Sequence, residues 1–273
     1  MKRKMLKELL NSGETLIMPD AYDPISARLI EKSGFKAVQC SGYSFSIAAA
    51  RKKEIDISRA ENIEITRRIV ESVDLPVMAD AEDGFGNSDI VRETVKMFVE
   101  AGVSGLNLED QILGGEGVRI IGEEEMVEKI HTAREAADTL IPDFIINGRT
   151  DALKSTEDHE EALNIAVDRA NLYLKEGADI AFPTYVETLE EVQILQKEVK
   201  GPISIAAGMP YNIQNFSLGD LKDLGVARVS LPTLLIFSSL KAIDESLNRL
   251  KDDEIICLNE SSLYSVEELN RLL

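Results

Sequence analysis

Val77-Met78-Ala79-Asp80-Ala81-Glu82-Asp83-Gly84-Phe85-Gly86 is an apolar run that stops abruptly at three carboxylates and a glycine-rich turn. Gly105-Leu106-Asn107-Leu108-Glu109-Asp110 has the same form. Short continuous apolar runs suit strands buried on both faces, the condition of a parallel sheet covered by helices. Carboxylates this close repel one another and resist desolvation. Placing them where two strands end is costly unless a hard divalent cation or a substrate proton offsets the charge.

Outward from these runs, one unit recurs: an amphipathic helix that stops at glycine, then a short β-rich stretch. Ser33-Gly34, Ala101-Gly102, Glu176-Gly177 and Leu224-Gly225 each precede such a stretch. Glycine past a helix end supplies the left-handed residue that closes the last turn. Ser58 to Glu61 and Thr188 to Glu191 read as capping boxes, and Ser88 as an N-cap. The β-rich runs are Leu16–Pro19, Ala37–Ser41, Val77–Ala81, Gly105–Leu108, Phe144–Gly148, Ile180–Pro183, Ile203–Ala206 and Arg228–Leu231, which makes eight. Eight strand–helix units predict a closed (β/α)₈ TIM barrel over residues 1–250, with an open doubly wound sheet as the alternative. Residues 251–273 depart from the repeat: Asp252-Asp253-Glu254 reads as a linker, and Ser265 caps a short helical tail.

The length of 273 residues fits one large barrel, and 44% hydrophobic residues rule against disorder. A formal net charge of −19 argues against nucleic acid or an anionic membrane as partner. Two cysteines, Cys40 and Cys257, make no disulfide framework and have no metal-ligand spacing. No secretory h-region follows the basic, amphipathic start, so the expected location is cytoplasmic.

A barrel carries its active site at the C-terminal strand ends. Those of the first five strands carry Asp20, Ser41-Gly42-Tyr43, Asp80 with Glu82, Glu109-Asp110 and Arg149 with Asp151; the last three offer little charge. Two residues apart on an extended strand end, Asp80 and Glu82 share one face and converge with Glu109 on a cation. An all-oxygen shell suits Mg²⁺ or Mn²⁺, and the lack of nearby His or Cys disfavours zinc. Asp83 and Asp110 read as helix N-terminal acids. Arg149 offers a bidentate grip on a carboxylate or phosphonate, or else pairs with Asp151 or Glu109. The amides of Gly42 and Tyr43 are candidates to receive an oxyanion, although Ser-Gly also marks any tight turn. His131 and His159 fall on solvated helix faces, and no strand ends in the lysine a Schiff-base aldolase requires.

Taken in order, Met18-Pro19-Asp20-Ala21-Tyr22-Asp23, Cys40-Ser41-Gly42, Ala79 to Gly86, Gly105 to Asp110 and Asn147-Gly148-Arg149-Thr150-Asp151-Ala152 resemble the isocitrate lyase and phosphoenolpyruvate mutase superfamily over nearly the whole barrel. The resemblance implies a Mg²⁺-dependent enzyme that binds a 2-oxo acid or dicarboxylate and breaks or forms a C–C or P–C bond beside it through an enolate. It implies that Asp80, Glu82 and Glu109 hold the metal directly or through water. Ser41, Gly42 and Tyr43 would bind the carboxylate and enolate oxygen, and Arg149 the distal side. Glu54 occupies the place of an aspartate that orients metal waters. It also implies a homo-oligomer, a dimer or tetramer, with terminal helices packed on a neighbour; the alternative is a helix folded back on its own barrel.

Two departures bear on the reaction. Glu82 and Glu54 stand where the family usually has aspartate. The loop after strand four, Leu113 to Gly122, lacks the Lys-Cys-Gly-His sequence of the lyases and the Asn and Thr of a mutase. Cleavage of isocitrate or methylisocitrate is therefore disfavoured, unless Glu116 serves as the acid. Decarboxylation of an oxaloacetate-like substrate demands least, with water or Tyr43 returning the proton. P–C bond mutation or hydrolysis stays open, as does a non-catalytic barrel that binds a dicarboxylate.

Overall fold

A computed structural model describes residues 2–114, 117–251 and 263–273. Its strands are β1 Leu16–Ala21, β2 Val38–Cys40, β3 Val77–Asp80, β4 Gly105–Glu109, β5 Ile145–Thr150, β6 Ile180–Pro183, β7 Ser204–Ala206 and β8 Arg228–Leu231. All pair in parallel, in the order β6-β5-β4-β3-β2-β1-β8-β7. One further bridge, Ala181 to Ile203, joins β6 to β7 and closes the ring. The closed barrel, not the open sheet, is the fold.

Around it lie α1 Lys2–Leu10, α2 Pro24–Lys32, α3 Gly42–Ala48, α4 Arg59–Ser72, α5 Ser88–Glu100 and α6 Glu123–Leu140. Then come α7 His159–Lys175, α8 Leu189–Glu198, α9 Leu218–Asp223, α10 Leu234–Lys251 and α11 Val266–Leu272. The capping boxes at Ser58, Thr188 and Ser265 are formed. Gly34, Gly102, Gly177 and Gly225 all have the positive φ their junctions require. One cap differs: Asn87, not Ser88, accepts from the Ile90 amide and starts α5.

Three layers fill the barrel. Leu6 of α1 plugs the bottom against Leu16, Met18, Met78, Ile145 and Ile180. Above the plug, buried polar side chains satisfy one another: Asn147 donates to Asn107 at 2.8 Å, and Arg228 donates to Ser204 and Gln39. The strand ends above this lattice form the site.

The tail helix α11 folds back onto α2 of the same barrel, where Leu272 is buried and its carbonyl accepts from Arg28. Asp252-Asp253-Glu254, Cys257 and Glu116 lie outside the described residues. Among the described residues, no helix is long and apolar enough to cross a membrane.

Candidate active site

β3 ends at Asp80, and the chain then turns sharply instead of running on. Glu82 has φ 51, a left-handed backbone that is strained for any residue but glycine. It therefore does not share an extended face with Asp80; the turn brings the two carboxylates together. The backbone N–H of Glu109 donating to the carbonyl of Glu82 at 2.9 Å pins that turn to β4.

The group that converges is Glu54, Asp80 and Glu82, with one oxygen from each within 4.8 Å of the others. Glu54 comes from a short 3₁₀ turn, Glu54–Asp56, between α3 and α4. Glu109 stands on the flank of this group, because the β4–β5 register sets it beside Arg149 and the two pair at 2.5 Å. Arg149 also donates to both oxygens of Asp151, at 3.1 and 3.0 Å, so the structural pairing to both acids is present. Arg149 still lines the cavity.

The acids are under electrostatic stress. Asp80 Oδ1, Glu82 Oε2 and Glu109 Oε1 are buried without a partner, while Glu109 Oε2 meets only the Arg149 guanidinium. Burial, then the charge of Asp80, pushes the Glu54 carboxyl up to about 7. Burial likewise raises Glu82 well above the carboxylate range, reinforced by Glu54, Asp80 and Glu109, and it raises Asp80 and Glu109 against the pull of Arg149. Burial works against the charge of Arg149, but Asp151, Glu109 and Asp80 outweigh it and hold the guanidinium ionised. Orphaned oxygens on converging acids fit a hard divalent cation: the donor set is all oxygen, and the unpaired lone pairs are what a cation would take up.

Ser41 caps α3, its side chain accepting from Ser44. The Gly42 amide is not free for an oxyanion, because it donates to Asp80 Oδ2 at 3.1 Å. Gly42 has a tighter constraint: a Cβ there would sit 1.6 Å from Glu82 Oε1 and 3.3 Å from Glu54 Oε1. Tyr43 is exposed at the cavity edge.

Asp110 is not a helix N-terminal acid, since α6 begins only at Glu123. It is fully buried and accepts from Thr150, the Asp151 amide, Arg169 and Tyr173. In this way it fixes the end of β5 and, through Asp151, the guanidinium of Arg149. Asp83 accepts from the Phe85 amide inside the turn. His131 and His159 are exposed and pair with Glu176 and Glu191.

The cavity over the strand ends has a volume of about 420 Å³. Asp20, Ser41, Glu54, Asp80 and Arg149 line one side; Phe182, Tyr185, Met209, Tyr211 and Phe237 line the other. This second wall was not anticipated from the sequence. The Tyr185 and Tyr211 rings lie 5.8 Å apart, and burial raises both phenols, Tyr185 to about 12.

Residues 6–251 match the family model for phosphoenolpyruvate phosphomutase. The chain belongs to this family. Among curated relatives, a 2,3-dimethylmalate lyase of Eubacterium barkeri is 32% identical, with 98% of this chain and 92% of the relative covered. A 2-methylisocitrate lyase of Aeropyrum pernix is 31% identical, covering 91% of this chain and 79% of its own. The solved structure of a phosphonopyruvate hydrolase complexed with oxalate and Mg²⁺ superposes with a TM-score of 0.88 at 27% identity, covering 100% of this chain and 94% of that one. The family thus includes enzymes named for C–C cleavage and for P–C chemistry. The loop after β4, where this chain lacks the lyase cysteine, folds back as a small hairpin in which Gln111 bridges Ile120. Gln111 lines the cavity and accepts from Arg149 at 3.4 Å.

Proposed function

We propose that this protein is a Mg²⁺-dependent enzyme, with Mn²⁺ as a substitute, that cleaves the bond between C3 and C4 of an oxaloacetate-like 2-oxo diacid. The observation that carries the reading is the convergence of Glu54, Asp80 and Glu82: Asp80 Oδ1 and Glu82 Oε2 are buried without partners, and Glu54 and Asp80 line the cavity beside Arg149. Asp80 and Glu82 would hold the cation with Glu54, and Glu109 would add its charge from beside Arg149. Bound there, Mg²⁺ would supply the positive charge that draws electrons toward the 2-oxo oxygen as the C–C bond breaks.

The protein's own groups do the rest. Ser41 and Tyr43 border the space for the substrate's reacting end, and Arg149, oriented by Asp151, Glu109 and Gln111, lines that space and would attract a carboxylate by its charge. In decarboxylation the C3–C4 electron pair stays with C3, carbon dioxide departs, and a proton is returned to C3 from water or the exposed hydroxyl of Tyr43. No thiol is required. Cys40 is buried, and burial raises its pKa far above neutrality.

The 27%-identical hydrolase structure with Mg²⁺ and oxalate keeps P–C cleavage as a second reading. A pyruvate-release assay over 2-oxo diacids, 2-hydroxy diacids and phosphonopyruvate, with and without Mg²⁺, tests both. Mg²⁺-dependent pyruvate from oxaloacetate supports the first reading. Release from phosphonopyruvate alone selects the second, and binding without any turnover leaves a non-catalytic dicarboxylate-binding barrel.

We also propose a homo-oligomer, a dimer or tetramer, and a cytoplasmic location. Phe237, Leu240, Ile243, Leu247 and Leu250 form an exposed apolar stripe along α10 at helical spacing, the kind of patch that marks an interface. Light scattering that gives the monomer mass would refute the assembly.

A further inference from the structure

Beneath the strand ends lies a cation that the proposed reaction does not touch. Arg228, on β8, is fully buried inside the barrel, with its guanidinium 5.5 Å from the centre of the Phe182 ring. Burial lowers its pKa to about 10 against the opposing charges of Asp20 and Asp80, so it stays ionised at neutral pH. A buried charge is costly, and its donors show what it holds. They go to neutral acceptors: Ser204 Oγ on β7 at 2.6 Å, Met18 Sδ on β1 at 3.2 Å and Gln39 Oε1 on β2.

The bond to Gln39 decides which way that amide faces. A guanidinium carries donors only, so the oxygen of Gln39 must turn toward it and the nitrogen away. Gln39 Nε2 then donates to two backbone carbonyls, Cys40 O at 2.6 Å and Ala79 O at 3.2 Å. Cys40 stands one residue before Ser41, and Ala79 one residue before Asp80. The β2–β3 register runs Val38 to Val77 and Gln39 to Met78 and ends there, so above it the Gln39 side chain takes over from the ladder. Higher still, the Gly42 amide closes the same two strand ends by donating to Asp80 Oδ2 at 3.1 Å. One side chain bridges β2 and β3 just below the acids, and β8 sets its orientation.

Building on the proposed cation site, we infer that Arg228 is a positioning residue: through Gln39 it holds the ends of β2 and β3 at the spacing that brings Asp80 into the group with Glu54 and Glu82. It acts on the site only through the backbone.

Gln39→Glu separates this from a merely structural role. The variant keeps the size of the side chain and gives Arg228 a carboxylate to pair with, yet an ionised carboxylate cannot donate to Cys40 O and Ala79 O. By charge alone the new anion would tighten Mg²⁺, so weaker binding reports displacement. Two readouts on the intact protein are independent of each other. In the metal-free protein, residue-resolved amide exchange is expected to quicken about tenfold at Gly42, whose bond to Asp80 spans the two strand ends. It should stay unchanged at Ile145, whose amide donates to Ser104 O at the start of β5. Calorimetric titration is expected to show Mg²⁺ bound about tenfold more weakly, the low end of what disturbed support around a metal costs. Arg228→Lys keeps the charge but not the fixed fork of donors, and the same two shifts are expected. It carries the test if Gln39→Glu does not fold.

Unchanged exchange at Gly42 in the folded variants overturns the proposal whatever Mg²⁺ does. Mg²⁺ bound as tightly as by wild type overturns it too, and leaves the cation site standing. Faster exchange at Gly42, in a protein whose wild type binds no Mg²⁺, has the opposite meaning: the positioning by Arg228 stands and the cation site falls.

Discussion

The two sides of the cavity are built from the same kind of strand end, yet only one of them leaves buried carboxylate oxygens without partners. On the acid side, Asp80, Glu82 and Glu109 leave buried oxygens without partners, and Glu82 and Phe85 hold left-handed backbones, φ 51 and 64. On the apolar side, Asn212 ties off the backbone, accepting from the Met209 amide and donating to the carbonyls of Ala206 and Val186. Electrostatic stress is thus concentrated where a cation would relieve it. The opposite wall is made by ordinary packing, with the left-handed Tyr185, φ 61, as its one strained residue. Unpaired charge inside a protein is costly, so its confinement to one side is itself evidence of use.

The largest effect should come from Asp80→Asn, which removes one charge from the centre of the group. Turnover should fall by about 10²–10³-fold while the fold survives, because losing the charge relieves repulsion in the metal-free protein. Circular dichroism and a thermal melt check the second half: a melting temperature below wild type would show that Asp80 is structural. Gly42→Ala should follow, at about 10²-fold, because its methyl group would overlap Glu82 Oε1 and displace that carboxylate. If the variant is fully active, the position of Glu82 does not matter to the site.

Arg149→Lys is expected to cost about tenfold in kcat/KM, since a point charge cannot reproduce the paired hydrogen bonds that guanidinium makes with Asp151. Wild-type kinetics would reduce Arg149 to a structural partner of Asp151 and Glu109. The smallest effect belongs to Cys40→Ser, expected to lower stability by about 1 kcal/mol through a buried hydroxyl and to leave kcat unchanged. Loss of turnover there, or on alkylation of the native protein, would reopen a thiol mechanism.

The asymmetry between the two sides also explains what the sequence made legible. Strand ends announce themselves as apolar runs that break at acids, so Asp80, Glu82, Glu109 and Arg149 could be found by position alone. Glu54 has no such marker: it lies on a 3₁₀ turn beyond α3, and only the family resemblance reached it. Asp110 was misread because its partners Arg169 and Tyr173 sit 59 and 63 residues further along, invisible to any local pattern. Gly42 looked like a turn residue, while its real constraint is a carboxylate arriving from a different strand. The aromatic wall went unseen for a plainer reason. Tyr185, Met209 and Tyr211 lie beyond their strands, where an apolar side chain carries no signal until the barrel closes.

Whether Glu54, Asp80 and Glu82 form one cation site is decided by calorimetric titration of Mg²⁺ into the native protein at about pH 6 and pH 8. Folded Glu54 titrates up to about 7, and Asp80 and Glu82 are shifted in the same direction, so the metal-free fold holds protons that the unfolded chain has released. Between the ordinary carboxylate range and about pH 7, the stability these groups contribute therefore falls as pH rises, and a bound cation must displace those protons. One site per chain is expected, tighter at pH 8, with proton release at pH 6 seen as a buffer-dependent heat, and loss of binding in Asp80→Asn. Binding of equal affinity at both pH values, retained in Asp80→Asn, would contradict it.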